Sequence, residues 1–438
     1  MTQARISVAM VSPWPPVRSG IADYSSELLG ALTAHVDVTP YRPADAEKAF
    51  FRRHAVVLFE IGNDPLHLPS VEALARHGKE RPTVVVLHDY SLHHLFAAAY
   101  LDQGRGADYV REMERAHGTR GRDFAARSVA GPRIPIWDLD PWAFPMSGGV
   151  VGDATAVIVH SRLVRGAVLR DRPGARVIEI PLHVVPAPRT PGPEARSMLG
   201  LPSDRVVAVT LGLVTPTKRI GKVLEGLALL PRGRRPFLFV SGVEASDDPL
   251  KALAVSLGLQ DDVAFGGYLS EEDFWRAASA ASFAVNLRYP TMGETSGAVC
   301  RLAGFGLPIV VSDIGWFREL PDAFASKVPV GRDEVEAIAR ALDLLTRDED
   351  ERRRRAEAAA DWGRARSPAW VANRYAEVLH EVVEGRSRAA TLLSSVASAL
   401  SAVGAGRPGE YRSGNRDPDA ALVLAVARAA RGVLATGE

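Results

Sequence analysis

Cysteine is nearly absent: Cys300 is the only one in 438 residues. That excludes a disulfide framework within the chain and a thiolate metal cluster, and it fits a reducing compartment. Charge of either sign is not in excess. The net charge of +1 gives no global basic field that would point to nucleic acid. No uninterrupted apolar run reaches about 18 residues, so no membrane-spanning helix is expected. The opening MTQARISVAMVSPWPP lacks the basic, apolar and small-residue order of a signal peptide and reads as a first strand. Several signatures are also missing. There is no Gly-x-Ser-x-Gly elbow and no Gly-x-Gly-x-x-Gly after the first strand, which argues against a hydrolase and a dinucleotide enzyme. Neither a Walker A loop nor a His-Glu-x-x-His pair occurs. Asp-x-Asp appears as Asp138 to Asp140 and within Asp348 to Asp350. The second lies on a charged helix face and the first does not follow a strand, so no metal and no cofactor are expected.

What is present is an alternation of short apolar runs with amphipathic helical stretches. The runs include ISVAMVS, AVVLFEIG, TVVVLHDY, ATAVIVHS, RVIEIPL, RVVAVTLG, FLFVSG, VAFGGYL, FAVNLRY and PIVVSD. They are rich in Val and Ile and do not alternate strictly, as expected of parallel strands covered on both faces by helices. The fold class is therefore α/β, doubly wound. A Pro-rich stretch from Val184 to Gly200 reads as a linker between two such units. The expected division is an N-terminal Rossmann-like domain over 1–187, a C-terminal one over 188–366, an amphipathic helix over 367–386, and a tail over 387–438 made of an Ala/Ser/Leu helix (AATLLSSVASALSAV), a disordered stretch and a last helix (ALVLAVARAARGVLA).

Ligands of open α/β sheets sit beyond the carboxyl ends of the strands, and two facing sheets make the interdomain cleft the default site. The loops there carry the chemistry. Gly20 opens a helix after strand one, where backbone can approach an anion. His88 ends LHDY and can bind a hydroxyl or move a proton. His160 reads as part of a helix cap, and His67, His93 and His94 as packing or surface residues. In GLVTPTKR, Gly212 follows a strand, with Lys218 and Arg219 at the start of a helix. Cations there oppose the helix dipole, so their presence points to a bound di-anion such as a diphosphate. In RYPTMGETSG, the N–H groups of Thr295, Ser296 and Gly297 can cradle phosphate, while the Glu294 carboxylate accepts sugar hydroxyls. Trp137 and Trp142, in WDLDPWAF, are able to stack on a sugar and are candidates for an acceptor wall.

Taken in order, these segments, together with GLPIVVSDIGWFRELP and WVANRYAEVLHEVV, resemble the retaining, GT-B-fold glycosyltransferases of glycosyltransferase family 4 from Ile6 to about Glu384. The resemblance implies two facing Rossmann-like domains with a crossover helix packing back on the first. It implies a nucleoside-diphosphate sugar as donor and a glycan or lipid-linked acceptor. It implies a cytoplasmic location, with the inner membrane face and a partner for the tail left open. It assigns His88, Lys218 and Glu294 to the catalytic centre. Gly20, Gly212, Arg219, Thr295, Ser296 and Gly297 would serve the donor. Two positions depart from the family. Leu213 stands where an Arg commonly follows the glycine, so Arg219 is the expected substitute. The second Glu of the Glu-x7-Glu motif, which holds ribose, is replaced near Arg301 and Leu302. That leaves a non-catalytic transferase-like subunit, or a GT-B sugar-nucleotide epimerase, as alternatives.

Overall fold

A computed structural model describes residues 5–132, 134–242 and 249–402, with side chains up to Arg386. Among the described residues twelve strands form two six-stranded sheets, and every pairing is parallel. The first sheet holds β1 (Ser7–Val11), β2 (Asp37–Tyr41), β3 (Val56–Ile61), β4 (Thr83–Leu87), β5 (Ala156–Val159) and β6 (Val177–Glu179), in the order β2-β1-β3-β4-β5-β6. The second holds β7 (Val207–Leu211), β8 (Phe237–Ser241), β9 (Val263–Phe265), β10 (Phe283–Asn286), β11 (Ile309–Ser312) and β12 (Ala325–Val328), in the order β12-β11-β10-β7-β8-β9. Residues of β3, β4 and β7 are buried on both faces, which is why their sequences run apolar without alternation. Each fully buried Val or Ile in them contributes roughly 1.5–3 kcal/mol.

Two strands escape the sequence reading, β2 and β12. Both lie at sheet edges, where half-exposed polar residues are tolerated and Pro40 costs no ladder bond on its open side. The linker also differs from expectation. Its second half is a helix, Gly192–Met198, started by Pro193 in the first turn. Arg196 pins that helix by donating to the carbonyls of Ala280, Ser203 and Arg205.

The crossover helix runs from Pro368 to Ala402 without interruption, so the expected Ala/Ser/Leu helix continues it as far as Ala402. The expected last helix and the stretch before it lie outside the described residues. Val371, Tyr375, Val378, Leu379 and Val382 recur at helical spacing and are buried. They pack the helix on Gly20–Leu32 and on β3 and β4 of the first sheet. Tyr375 and Tyr24 join across this contact through their hydroxyls at 2.8 Å. The linker and the return to the crossover helix pass side by side, the Val184 N–H donating to the Arg366 carbonyl at 2.8 Å.

Candidate functional site

In the second sheet the order reverses between β7 and β10, and the loops leaving these two strands are the Lys218 loop and the Glu294 loop. Such a switch point opens a crevice at the strand ends. Gly212 turns the chain there with φ +95°, and a Cβ on it would lie 2.9 Å from Lys218 Nζ. The 3-10 turn Pro216–Lys218 sends the Lys218 side chain back under the loop, where Nζ donates to the Leu211 carbonyl at 2.9 Å. Lys218 is only 6% exposed. Burial, and then the charge of Arg288, lower its pKa to about 7.

Arg219 is placed differently from its neighbour. It takes the left-handed conformation (φ 54°) at the start of the helix Ile220–Ala228, and its guanidinium grips the buried Glu334 carboxylate through Nε and Nη2. The hydrogen bond to Glu334 raises its pKa. The cation that opposed the helix dipole in the sequence is thus matched by a carboxylate from a distant segment.

After β10 the chain folds Glu294 back on its own loop. Its Oε2 accepts from Thr291 Oγ1 at 2.8 Å and from the Met292 N–H at 2.7 Å. Its Oε1 lies 3.1 Å from Arg288 Nε. Ser296 caps the helix Gly297–Phe305 by accepting from the Val299 N–H. Gly297 is exposed with open space at its Cβ position, and Thr295 lines an interdomain cavity of about 290 Å³ together with His160, Cys300, Trp316 and Trp362.

The first domain closes the crevice from above. His88 ends β4 and its Nε2 lies 2.7 Å from Oε2 of the fully buried Glu60 on β3. Burial pushes the Glu60 carboxyl up and the His88 imidazole down, so the pair is neutral near pH 7 and shares one hydrogen bond. Tyr24 and His160 flank the His88 ring, at 5.2 and 4.9 Å between centroids. Asp89 accepts from the Asn63 N–H at 2.8 Å. Burial, and then the charge of Glu294 across the crevice, raise its pKa to about 7. The two domains are joined here by the Ser91 N–H on the Met292 carbonyl (2.9 Å) and by Trp142 Nε1 on the Thr291 carbonyl (2.8 Å). Gly293 (φ +86°) allows this approach, since a Cβ on it would lie 2.6 Å from that of Tyr90. Gly20 opens its helix at the exposed end of the same face, beside Arg18, whose guanidinium stacks on Tyr268 of the second domain.

The crevice therefore gathers His88, Gly212, Lys218, Glu294, Thr295, Ser296 and Gly297. Arg219 is tied to Glu334 instead. Trp137 is 7% exposed and packs against His93 inside the first domain, so it presents no open wall. Trp142 packs at a tilt on Tyr90, 4.6 Å between ring centroids, and bridges the domains through the Thr291 carbonyl. Sequence reasoning missed Arg288, Asp89 and Glu60. Arg288 and Asp89 flank motif residues and could have been found as charges abutting buried strand ends; Glu60 was visible as a lone carboxylate in an otherwise apolar strand. Among the described residues no cluster of His, Cys, Asp and Glu is placed to hold a metal ion, and no helix is long and apolar enough to cross a membrane.

Residues 193–362 match the family model of the glycosyl transferases group 1. No curated protein matches the chain. Among solved structures, a sucrose-phosphate synthase from Thermosynechococcus elongatus superposes with a TM-score of 0.61 at 16% identity, covering 86% of this chain and 99% of that one. HepE from Anabaena, solved in complex with UDP-glucose, gives 0.57 at 14%, covering 86% and 100%. A glycosyltransferase from Rickettsia africae gives 0.56 at 13%, covering 87% and 99%. At these identities the likeness is one of fold: two Rossmann-like domains facing across a cleft, the GT-B architecture.

Proposed function

We propose that this chain is a retaining glycosyltransferase that moves a sugar from a nucleoside-diphosphate sugar to an acceptor hydroxyl of a glycan or lipid-linked molecule. The observation that carries the reading is Lys218: a buried amine, paired with no carboxylate among the described residues, at the switch point of the second sheet and facing the Glu294 loop. A bound diphosphate supplies the missing negative charge and restores the lysine to its charged form. The family match over 193–362 covers both loops, and the UDP-glucose complex of HepE makes UDP the first donor base to test.

In the proposed reaction the bond from the anomeric carbon to the diphosphate oxygen breaks, and its electron pair leaves with the diphosphate. Lys218 and the N-terminus of the Gly297 helix stabilise that charge without a metal. The acceptor oxygen bonds to the anomeric carbon on the face just vacated, and its proton passes to the leaving phosphate oxygen. Retention follows from this same-face attack. Glu294 accepts hydrogen bonds from the sugar hydroxyls. His88, held neutral and fixed in orientation by Glu60, offers its free ring nitrogen to the sugar or acceptor. Contacts such as Ser91 with Met292 keep the crevice shut to water during transfer.

One observation favours a second reading. Leu302, at the place of the family's ribose-binding Glu, is 0% exposed, and Arg301 is taken by Glu27 and Glu271. A chain without that carboxylate fits a nucleotide-binding subunit with no turnover of its own. Calorimetric titration of UDP, GDP and ADP into wild type and Lys218→Ala decides the first question. Micromolar binding of one nucleotide that weakens about tenfold or more in the variant supports the donor site. No binding by any of the three defeats it.

A further inference from the structure

We infer that Arg288 is the second cation of the diphosphate site, in the role the sequence pattern assigned to Arg219. The inference rests on the donor reading above. Arg288 lies one loop away from Lys218 and is the charged neighbour that acts on it, with the same sign. Lys218 has no carboxylate partner among the described residues and Arg288 has only Glu294, so the two cations together carry an unmatched positive charge. An anion seated between them matches it.

The geometry of the guanidinium supports that use. Nη1 donates to Thr217 Oγ1 at 3.1 Å, which ties the side chain to the Lys218 turn. Nε lies 3.1 Å from Glu294 Oε1, close enough for an ion pair, yet this buried N–H is without a hydrogen-bond partner. A buried donor left unsatisfied beside a carboxylate already engaged by Thr291 and Met292 marks a place where a ligand oxygen completes the set. The planar fork matches a phosphate better than a lysine does. Neither rival can fill the role. Arg219 is bound to Glu334, and Leu213, after the glycine, is uncharged and 68% exposed. Arg288 also touches the carboxylate assigned to the sugar. One residue thus links the leaving phosphate to the group that holds the sugar in place.

The test compares UDP with UMP. Calorimetry on wild type, Arg288→Gln, Arg288→Lys and Leu213→Arg/Arg288→Gln, with melting temperatures as a check of folding, reads the terminal phosphate separately. The expected result is a loss of about tenfold or more in UDP affinity for Arg288→Gln, with UMP affinity within about threefold of wild type. Arg288→Lys falls between, because it keeps the charge and loses the fork. The double variant recovers UDP binding, since Leu213→Arg returns a cation from the facing loop. Wild-type UDP affinity in Arg288→Gln, with Lys218→Ala still weakened, overturns this inference and leaves the donor reading standing. Equal loss of UDP and UMP also overturns it, because Arg288 would then only brace the loop. Failure of the wild type to bind UDP, GDP or ADP removes the donor reading and this inference together.

Discussion

At the residue scale, burial in the crevice shifts the protonation of several groups away from their ordinary range. Lys218 is the clearest case. Its folded pKa, about 7, is below that of the unfolded chain, so between there and about 10.5 the unfolded state carries the extra proton. Stability therefore rises with pH through that window, and the penalty is complete below about pH 7. Lys218→Met should weaken nucleotide binding about tenfold or more and at pH 7 raise stability by on the order of 1 kcal/mol. The gain should vanish above about pH 10.5, and denaturant melts at pH 7 and pH 10 would read it. Equal stability of the two proteins at pH 7 would remove the argument. Glu60 behaves in the opposite sense. Burial raises it to about 8, so the folded chain holds a proton that the unfolded chain has released from about 4.5 upward. Its contribution falls as pH rises between those values. Glu60→Gln should flatten that part of the profile while keeping a hydrogen bond to His88. A Glu60→Gln melt that declines from pH 5 to 8 as steeply as wild type would count against it. Much of the second-domain crevice was legible because loop chemistry sits next to the strands in sequence. The Arg288, Asp89 and Glu60 roles were not, because each depends on a partner from another loop or strand.

At the scale of elements, caps and cross-element pairs hold the crevice loops in register. Ser296 fixes the first turn of the Gly297 helix. Ser296→Ala should cost about 1 kcal/mol, as lost N-caps do, and should also weaken nucleotide binding if that turn meets phosphate. Unchanged affinity at lowered stability would confine Ser296 to the cap alone. The Gly20 helix and the crossover helix meet through the buried Tyr24 and Tyr375 hydroxyls. Tyr375→Phe leaves the Tyr24 hydroxyl without its partner and should cost about 1–3 kcal/mol. The double Phe variant should cost less than the sum of the two single changes, and a double-mutant cycle by chemical denaturation measures the difference. Strands in the interior of both sheets could be read from Val-rich runs. Edge strands β2 and β12 could not, since exposure on one side admits Pro40, Asp37 and Lys327, which erase the apolar signal. The helix Gly192–Met198 was hidden by the prolines around it, although Pro in a first turn favours a helix start.

At the scale of the whole molecule, the domains touch at several separated places. Glu319 of the second domain accepts from the N–H groups of Arg162 and Leu163, at 3.1 and 2.7 Å, and so caps a first-domain helix, Arg162–Asp171. Glu319→Ala should loosen the closed form. If Glu319 serves closure, turnover should fall severalfold with nucleotide affinity little changed, and small-angle scattering should show a larger radius of gyration. A variant with unaltered scattering and turnover would refute that. The two-domain plan was legible because each half carries its own set of buried strands, but which residues meet across the cleft was not, since such contacts join residues more than a hundred positions apart. The side-by-side passage of Val184 and Arg366 has a further consequence for modular exchange. The chain crosses between domains twice at one place, and the crossover helix belongs by packing to the first domain and by sequence to the second. A chimera spliced only at the linker would seat a foreign surface beneath Tyr375. The transplantable unit is the first sheet with its helices together with the helix that begins at Pro368.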